Sequence, residues 1–513
     1  MTSASGDPAA VSPSLKLPAP SAAARTFWII AAAITLARII ALFLSDLDLG
    51  PDETQYWFWA QSPSFGYFSK PPMIAWIIGA TTSVFGDAEW AVRLSAPFLH
   101  LGTAYILFRF GKRFYNDQVG LWAGVIWLTL PGVSLSSMLI STDALMLFFW
   151  SAALFAFFHL LDPEIERTSP FPALLGLALG LGLLSKYALI YFAPGAAVAL
   201  LFAAGRRRWK DLALACLIAA AVAAPNIIWN AQNGFQTVSH TAANANWEGS
   251  LFHPIALLEF VIAQFGVFGP VTFALLLAGL ATVWPRLAAA RDDKWVDIAL
   301  MGFVVPPLAI ICIQAFISRA HANWGAAAFP AAAILIAAWA HRAGVTRILK
   351  GGVILNAAAA IALTVAVTNF SIVDQLGLSD IVKRLRGWEG QGADIVRLSA
   401  DYDAVMTDDR EVMGGILYYA RASDTRVVAW NSNHRIDDHY EAFEPFTAGR
   451  DQKILYVTPH ADAIGVKYRF EVIKHLGETT ADLEDGRYRR LYLFELSGYR
   501  TVSGNLLEEA DPL

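Results

Sequence analysis

The stretch "TFWIIAAAITLARIIALFLSDLDLGPDETQYWFWAQ", residues 26–61, decides the fold class of this chain. It begins with an apolar run over 26–46, which is long enough to cross a bilayer because a spanning helix needs roughly 20 mostly apolar residues. A Gly-Pro pair follows the run, and two adjacent carboxylates, Asp52 and Glu53, come directly after it. The pattern predicts a membrane protein with ionisable groups at the boundary between lipid and water.

The composition of the whole chain extends this prediction. Of the 513 residues, 56% are hydrophobic and 16% are charged, whereas about a quarter of the residues in soluble proteins are charged. The net charge of −5 gives no indication of a nucleic-acid partner. We predict an α-helical polytopic membrane protein with about eleven transmembrane helices, at 26–46, 92–110, 118–138, 143–161, 172–185, 187–204, 212–229, 255–284, 296–317, 324–341 and 350–369.

The distribution of Lys and Arg predicts the orientation. One set of alternate loops carries fourteen of these residues, whereas the opposite set carries only four, Lys70, Arg93, Lys186 and Arg319. Because cytoplasmic loops are enriched in positive charge, the first set is predicted to be cytoplasmic. Residues 1–25, rich in Ala, Ser and Pro, are then a disordered cytoplasmic tail before a transmembrane domain at 26–370.

The composition changes after residue 370, where charged residues return. Short β-type runs at 403–407, 425–430 and 453–458 alternate with helix-like stretches, and 410–421 has apolar residues at helical spacing. These features predict a small α/β domain over 371–513, on the outer side of the membrane.

Several ionisable residues are predicted to gather on that outer side. Asp143 opens a span, and Lys70 and Lys186 lie in loops on the same side as Asp52 and Glu53. A transporter would be expected to place such groups near the midplane, between inverted repeats. The one-sided arrangement favours an enzyme that moves a sugar from a lipid-linked phosphate to an acceptor hydroxyl, with a carboxylate as base and cations on the leaving phosphate.

Alternatives to this interpretation stay open. The two carboxylates after Pro51 also suit a structural role, since acidic residues stabilise the first turn of a helix. A transporter or flippase of lipid-linked sugars is the alternative for the whole chain. In "SRAHANWGA", 318–326, Arg319 and His321 either complete a donor phosphate pocket or flank an aromatic anchor at the interface. Three aromatic residues are expected in an interfacial belt, a role that is compatible with a second one as a platform for a sugar: Tyr56, Trp57 and Trp59.

Four motifs, in this order, resemble the C-type (GT-C) glycosyltransferase superfamily: "PDETQYW" at 51–57, "YFSKPPMIAW" at 67–76, "STDALMLFF" at 141–149 and "LLSKYAL" at 183–189. The resemblance covers roughly 26–370 and is strongest to the bacterial branch of family 39, the protein O-mannosyltransferases, and to the aminoarabinose transferases that modify lipid A. It implies a GT-C fold, an inverting mechanism and a polyprenyl-phosphate sugar as co-substrate. The acceptor would be a glycolipid of the lipid A or lipopolysaccharide type, or a protein, at the periplasmic face of a bacterial inner membrane.

The resemblance also implies roles for individual residues. Asp52 matches the catalytic base and Glu53 its companion, and Asp143 matches an acidic residue that orients the acceptor or the base. Lys70 and Lys186 match positions close to the donor phosphate.

The chain departs from the aminoarabinose transferases at two positions. They carry an Arg where Gln55 stands, so one phosphate contact is expected to come from elsewhere. They also carry a Glu that can bind a metal before the Lys-Pro-Pro motif, where this chain has Ser69. We therefore predict no cofactor besides the co-substrate and no metal site, and divalent-metal dependence stays open.

Overall fold

The computed structural model describes residues 21–500, apart from gaps at 163, 166–168, 203–207, 248–249, 288–294, 378, 434, 448, 450–451 and 485. Most of the predicted N-terminal tail lies outside the described residues. The first helix begins at Ala22, four residues before the predicted span, because the Ser21 hydroxyl accepts a hydrogen bond from the Ala24 N–H and caps it.

Up to residue 375 the regular secondary structure of the described residues is entirely helical, and α-helices account for most of it. In chain order they are α1 (Ala22–Phe43), α2 (Pro51–Gln61), α3 (Met73–Phe85), α4 (Glu89–Arg93), α5 (Ser95–Phe114), α6 (Asp117–Thr129), α7 (Pro131–Ser136), α8 (Thr142–Leu161), α9 (Phe171–Ser185), α10 (Phe192–Phe202), α11 (Trp209–Gln232), α12 (Gln236–Ala243), α13 (Pro254–Val267), α14 (Pro270–Leu287), α15 (Trp295–Gly302), α16 (Val305–Ile317), α17 (Phe329–Arg342), α18 (Thr346–Thr368) and α19 (Phe370–Gln375).

Length and apolar composition identify the helices that can cross a membrane. The described residues contain seven such helices, or eight if one bent pair counts as a single span, together with shorter apolar helices at Met73–Phe85, Phe171–Ser185 and Tyr187–Phe202. The chain is thus a multi-pass membrane protein, and the count of about eleven spans stays a prediction. Helix α17 lies at the centre of the bundle, with every residue from Phe329 to Ala340 buried.

The predicted continuous span at 255–284 is wrong in shape. Helices α13 and α14 meet at an angle of 116°. Gly269 at the junction has φ +84°, a left-handed conformation that favours glycine. Pro270 then starts the second helix, where its missing N–H costs nothing. The Asn356 side chain fills the space where a Cβ of Gly269 would lie.

The C-terminal segment folds as the predicted α/β domain. Its sheet has the order β2-β1-β3-β5-β4, in which β1 is parallel to β2 and β3, and β5 is antiparallel to β3 and β4. The predicted strands and the helix over 410–421 are confirmed. The elements are α20 (Trp388–Leu398), β1 (Ala404–Thr407), α21 (Arg410–Tyr419), β2 (Val427–Ala429), α22 (His439–Phe443), β3 (Ile454–Thr458), β4 (Phe470–Asp482) and β5 (Tyr488–Tyr499).

The hairpin of β4 and β5 was not predicted. Most side chains of β4 are exposed or half-buried, so the strand lacks the apolar alternation that marks a strand with one buried face. The predicted domain boundary at residue 370 coincides with the start of α19, and the boundary itself stays a prediction.

The C-terminal domain packs directly on the segment between α1 and α2. The Trp388 N–H donates to the Asp48 carboxylate over 2.7 Å, and the Leu49 N–H donates to the Tyr419 hydroxyl over 2.8 Å. Helix α21 lies against α2 so closely that a Cβ on Gly414 would approach the Thr54 Oγ1 to 2.5 Å. The domain therefore borders the carboxylates at the start of α2.

Candidate active site

Asp52 lies in the first turn of α2, which follows Gly50 and has Pro51 at its first position. Its side chain is 63% exposed, and Arg410 from α21 donates to one carboxylate oxygen over 2.5 Å. Partial burial acts to raise the pKa of Asp52, but Arg410, Lys70 and Arg384 outweigh it and hold the pKa below its usual value. The carboxylate is thus ionised at neutral pH and accessible, as a general base must be.

Glu53 has a different environment although it is the next residue. Both of its oxygens bind the guanidinium of Arg93, over 2.9 and 2.7 Å, and they also accept the N–H groups of Gly50 and Ile140, over 3.0 and 2.9 Å. The side chains of the pair are only 6% and 1% exposed. These four hydrogen bonds occupy both oxygens of Glu53 and link α2 to α4 and to the start of α8, so the geometry favours a structural role for Glu53 over the predicted catalytic one.

Asp143 and Lys186 form an ion pair. The Lys186 ammonium donates to one oxygen of Asp143 over 2.7 Å, and the Asn323 amide donates to the other over 2.7 Å. Asp143 lies in the first turn of α8, and Lys186 lies in extended backbone where α9 ends, at the predicted break between two short helices. No acidic residue lies next to Lys186 in the sequence, and the fold brings Asp143 to it from 43 positions away.

The loop that carries Lys70 is fixed by hydrogen bonds from neighbouring helices. The Tyr67 N–H donates to the Lys70 carbonyl over 3.2 Å, closing a turn before the two prolines. The Thr237 hydroxyl binds the Tyr67 carbonyl over 2.6 Å, and the Asn226 amide binds the Phe65 carbonyl over 2.7 Å. Lys70 therefore projects from an ordered turn.

The ammonium of Lys70 makes no hydrogen bond within the described part of the chain. Burial lowers its pKa, the charges of Lys186 and Arg410 lower it further, and those of Asp52 and Asp143 oppose the change. These electrostatic couplings join the five residues as one cluster, which we call the charged recess. Three cations and two carboxylates give the charged recess one net positive charge, a balance that suits a phosphodiester.

Arg319 and His321 stand apart from the charged recess. Both are exposed, and in the described structure neither makes a hydrogen bond or ion pair with Asp52 or Asp143. His321 instead packs edge-on against Trp324, with ring centroids 5.3 Å apart. Their neighbour Asn323 is the residue of this turn that reaches Asp143.

His240 of α12 is a site residue that the sequence did not single out. Its ring packs edge-on against Phe68, at 5.6 Å between centroids, and its buried Nδ1 has no hydrogen-bond partner among the described residues. Burial, with smaller effects from Lys70 and Arg410, lowers its pKa to about 4, so the imidazole is neutral at pH 7.

The expected interfacial aromatic belt after Asp52 is wrong. Tyr56, Trp57 and Trp59 are 3%, 6% and 1% exposed, so neither lipid nor a sugar reaches them. Trp57 donates to Asp87 over 2.7 Å and meets Tyr418 of the C-terminal domain edge-on. These rings support α2 from within the protein.

Metal dependence stays open. No three His, Cys, Asp or Glu side chains in the described ranges come together as a possible metal site. Ser69, at the position of the metal-binding Glu, is buried.

Known proteins are similar to this chain in sequence and in fold. A family model described as dolichyl-phosphate-mannose-protein mannosyltransferase matches residues 69–229. The lipid A galacturonosyltransferase RgtD of Rhizobium johnstonii is 35% identical over 442 residues, which are 85% of this chain and 91% of the relative. The chain belongs to the C-type glycosyltransferases. The present glycosyltransferase is also similar to an undecaprenyl phosphate-aminoarabinose transferase of Pseudomonas aeruginosa. The two are 28% identical over 34% of this chain and 35% of that relative.

The fold of the glycosyltransferase matches a solved structure over nearly its whole length. The structure of ArnT from Cupriavidus metallidurans bound to undecaprenyl phosphate has a TM-score of 0.64 with 15% identity, over 92% of this chain and 98% of that one. The predicted GT-C fold is confirmed.

Proposed function

We propose that this glycosyltransferase moves a sugar from a polyprenyl phosphate to a lipid A-type glycolipid at the periplasmic face of the bacterial inner membrane. The single observation that carries the proposal is the charged recess, in which the exposed carboxylate of Asp52 contacts Arg410 and the carboxylate of Asp143 contacts Lys186. The RgtD relative supports lipid A as the acceptor and galacturonic acid as the sugar. Purified enzyme with polyprenyl-phosphate galacturonate and lipid A should yield lipid A carrying one added hexuronic acid, detected by mass spectrometry.

The proposed reaction is a single displacement. Asp52 accepts the proton of the acceptor hydroxyl while the oxygen of that hydroxyl forms a bond to the anomeric carbon of the sugar. The bond from that carbon to the phosphate oxygen breaks, and the polyprenyl phosphate leaves with an additional negative charge. Lys70 and Lys186 stabilise this charge, which is larger in the transition state than in the bound donor.

Other polar residues would hold these groups in position. Asp143 fixes the Lys186 ammonium and is itself held by Asn323. Glu53 acts as a positioning residue, because its pair with Arg93 anchors the first turn of α2, where Asp52 lies. We assign no donor contact to Arg319 or His321.

The proposed orientation has its own test. The excess of Lys and Arg in one set of loops puts the N-terminus in the cytoplasm and the C-terminal domain in the periplasm. A phosphatase reporter fused after residue 500 should be active, and a reporter that works only in the cytoplasm should be silent there. A silent phosphatase together with an active cytoplasmic reporter would place the charged recess on the cytoplasmic side.

Replacement of Lys70 separates a transferase from a flippase. Lys70→Met should lower the turnover number by about 10²-fold, the effect of removing one group that stabilises developing charge, and should weaken donor binding much less. Single-turnover rates and donor affinity, measured on the same purified protein, check this. Arg397→Gln, a change in an exposed pair of the C-terminal domain, is the control. A parallel loss of binding and transport without any glycosylated product would favour the flippase.

A further inference from the structure

We propose that Arg410 of the C-terminal domain is a donor-binding residue whose guanidinium contacts the phosphate, and that Gln55 holds it in place. The inference rests on the proposed function and extends its site beyond the membrane domain. It also identifies where the phosphate contact missing at Gln55 comes from.

The backbone of Arg410 is well fixed. Arg410 is the first residue of α21, and the carboxylate of the preceding residue, Asp409, caps this helix by accepting the Val412 N–H over 2.8 Å. The close approach of Gly414 to Thr54 sets the distance between α21 and α2. The start of α21 therefore lies opposite the first turns of α2.

The side chain of Arg410 reaches across to α2. The Gln55 Oε1 accepts from Nε over 3.2 Å and from Nη2 over 2.8 Å, and Nη2 also donates to Asp52. Gln55 is only 1% exposed, so its amide oxygen fixes one edge of the guanidinium from inside the protein. A neutral amide does this without cancelling the positive charge.

The other edge of the guanidinium is available to a ligand. Among the described residues Nη1 has no hydrogen-bond partner, and the side chain is 35% exposed. Arginine presents five donors in a planar fork that suits phosphate oxygens. Because Nη2 donates to Asp52, a phosphate bound by the Nη1 donors would lie close to the proposed base.

The charge of the recess depends on this residue. Lys70 and Lys186 balance Asp52 and Asp143, so without Arg410 these groups would sum to zero. Arg410 therefore adds one positive charge to these four groups, and that charge comes from the C-terminal domain.

The inference is tested by moving the arginine from position 410 to position 55. Arg410→Gln should lower turnover by about 10²-fold, as the loss of one preorganised donor does, and should weaken the binding of undecaprenyl phosphate. Adding Gln55→Arg to this variant should restore at least a tenth of the wild-type turnover and the binding, because position 55 lies one helical turn after Asp52 on the same face. Gln55→Arg alone should be impaired, since it brings two guanidinium groups together.

The controls distinguish a donor contact from a structural one. Arg397→Gln removes an exposed ion pair of the same domain and should leave turnover and binding unchanged. Wild-type turnover in Arg410→Gln would overturn the inference and leave the proposed function intact. Loss of activity that the double variant does not recover, with lowered thermal stability and unchanged undecaprenyl phosphate binding, would make Arg410 structural and also overturn it. Failure of the wild type on every donor would instead refute the proposed function.

Discussion

Asp52→Asn is expected to lower the turnover number by about 10²–10⁴, the range for loss of a general base. The amide is nearly isosteric with the carboxylate but does not accept a proton at neutral pH. Its oxygen can still accept a hydrogen bond from Arg410, so the contact between α2 and α21 should persist. Single-turnover assays at saturating donor, together with thermal unfolding of the same preparation, measure the two effects separately.

A matched change supports this test. Asp46→Asn alters an exposed carboxylate of the loop that precedes α2 and should leave the rate unchanged. If Asp52 were only a helix cap, its replacement would cost about 1 kcal/mol of stability and leave the rate largely intact. Near wild-type turnover in well-folded Asp52→Asn would thus remove Asp52 from the mechanism.

Glu53→Gln is expected to act mainly on stability. Removing the charge leaves the guanidinium of Arg93 buried without a counter-ion, and breaking a buried pair in this way costs about 3–5 kcal/mol. The variant should therefore unfold at a clearly lower temperature in detergent and give less folded protein. Activity per folded molecule should fall less than in Asp52→Asn, because Glu53 positions the base and does not take the proton.

The control for this variant is the same substitution in an exposed pair. Glu164, 75% exposed beside Arg113, should tolerate Gln with a change of about 1 kcal/mol or less. A Glu53→Gln protein with wild-type stability but no turnover would show that Glu53 takes part in the chemistry.

Local signals explain why much of the site was predictable. Asp52, Asp143, Lys70 and Lys186 are charged residues beside long apolar runs, where ionisable groups are costly and therefore informative. The first three strands and α21 carry apolar residues at regular spacing, so they were found as well. The signal lies within a few residues in each of these cases.

The parts that were missed depend on contacts between distant segments. Arg410 lies 358 positions after Asp52, in a polar stretch that resembles any solvated helix start. Arg93, the partner of Glu53, entered the sequence analysis only as one positive charge in the count of Lys and Arg per loop, and its ion pair with Glu53 was not predicted. The bend at Gly269 is different, because the Gly-Pro pair there is a local breaker that the apolar composition of 255–284 concealed.

The contact between α21 and α2 has a consequence for biosynthesis. Asp52 lies near the start of the chain, whereas Arg410 is synthesised only after α18, the last of the long apolar helices that the structure describes. The two residues meet once the C-terminal domain has folded against α2 on one side of the membrane. Chains that stall or are truncated before α21 therefore carry the base without its guanidinium partner, so completion of translation itself determines when a molecule acquires its full set of charges.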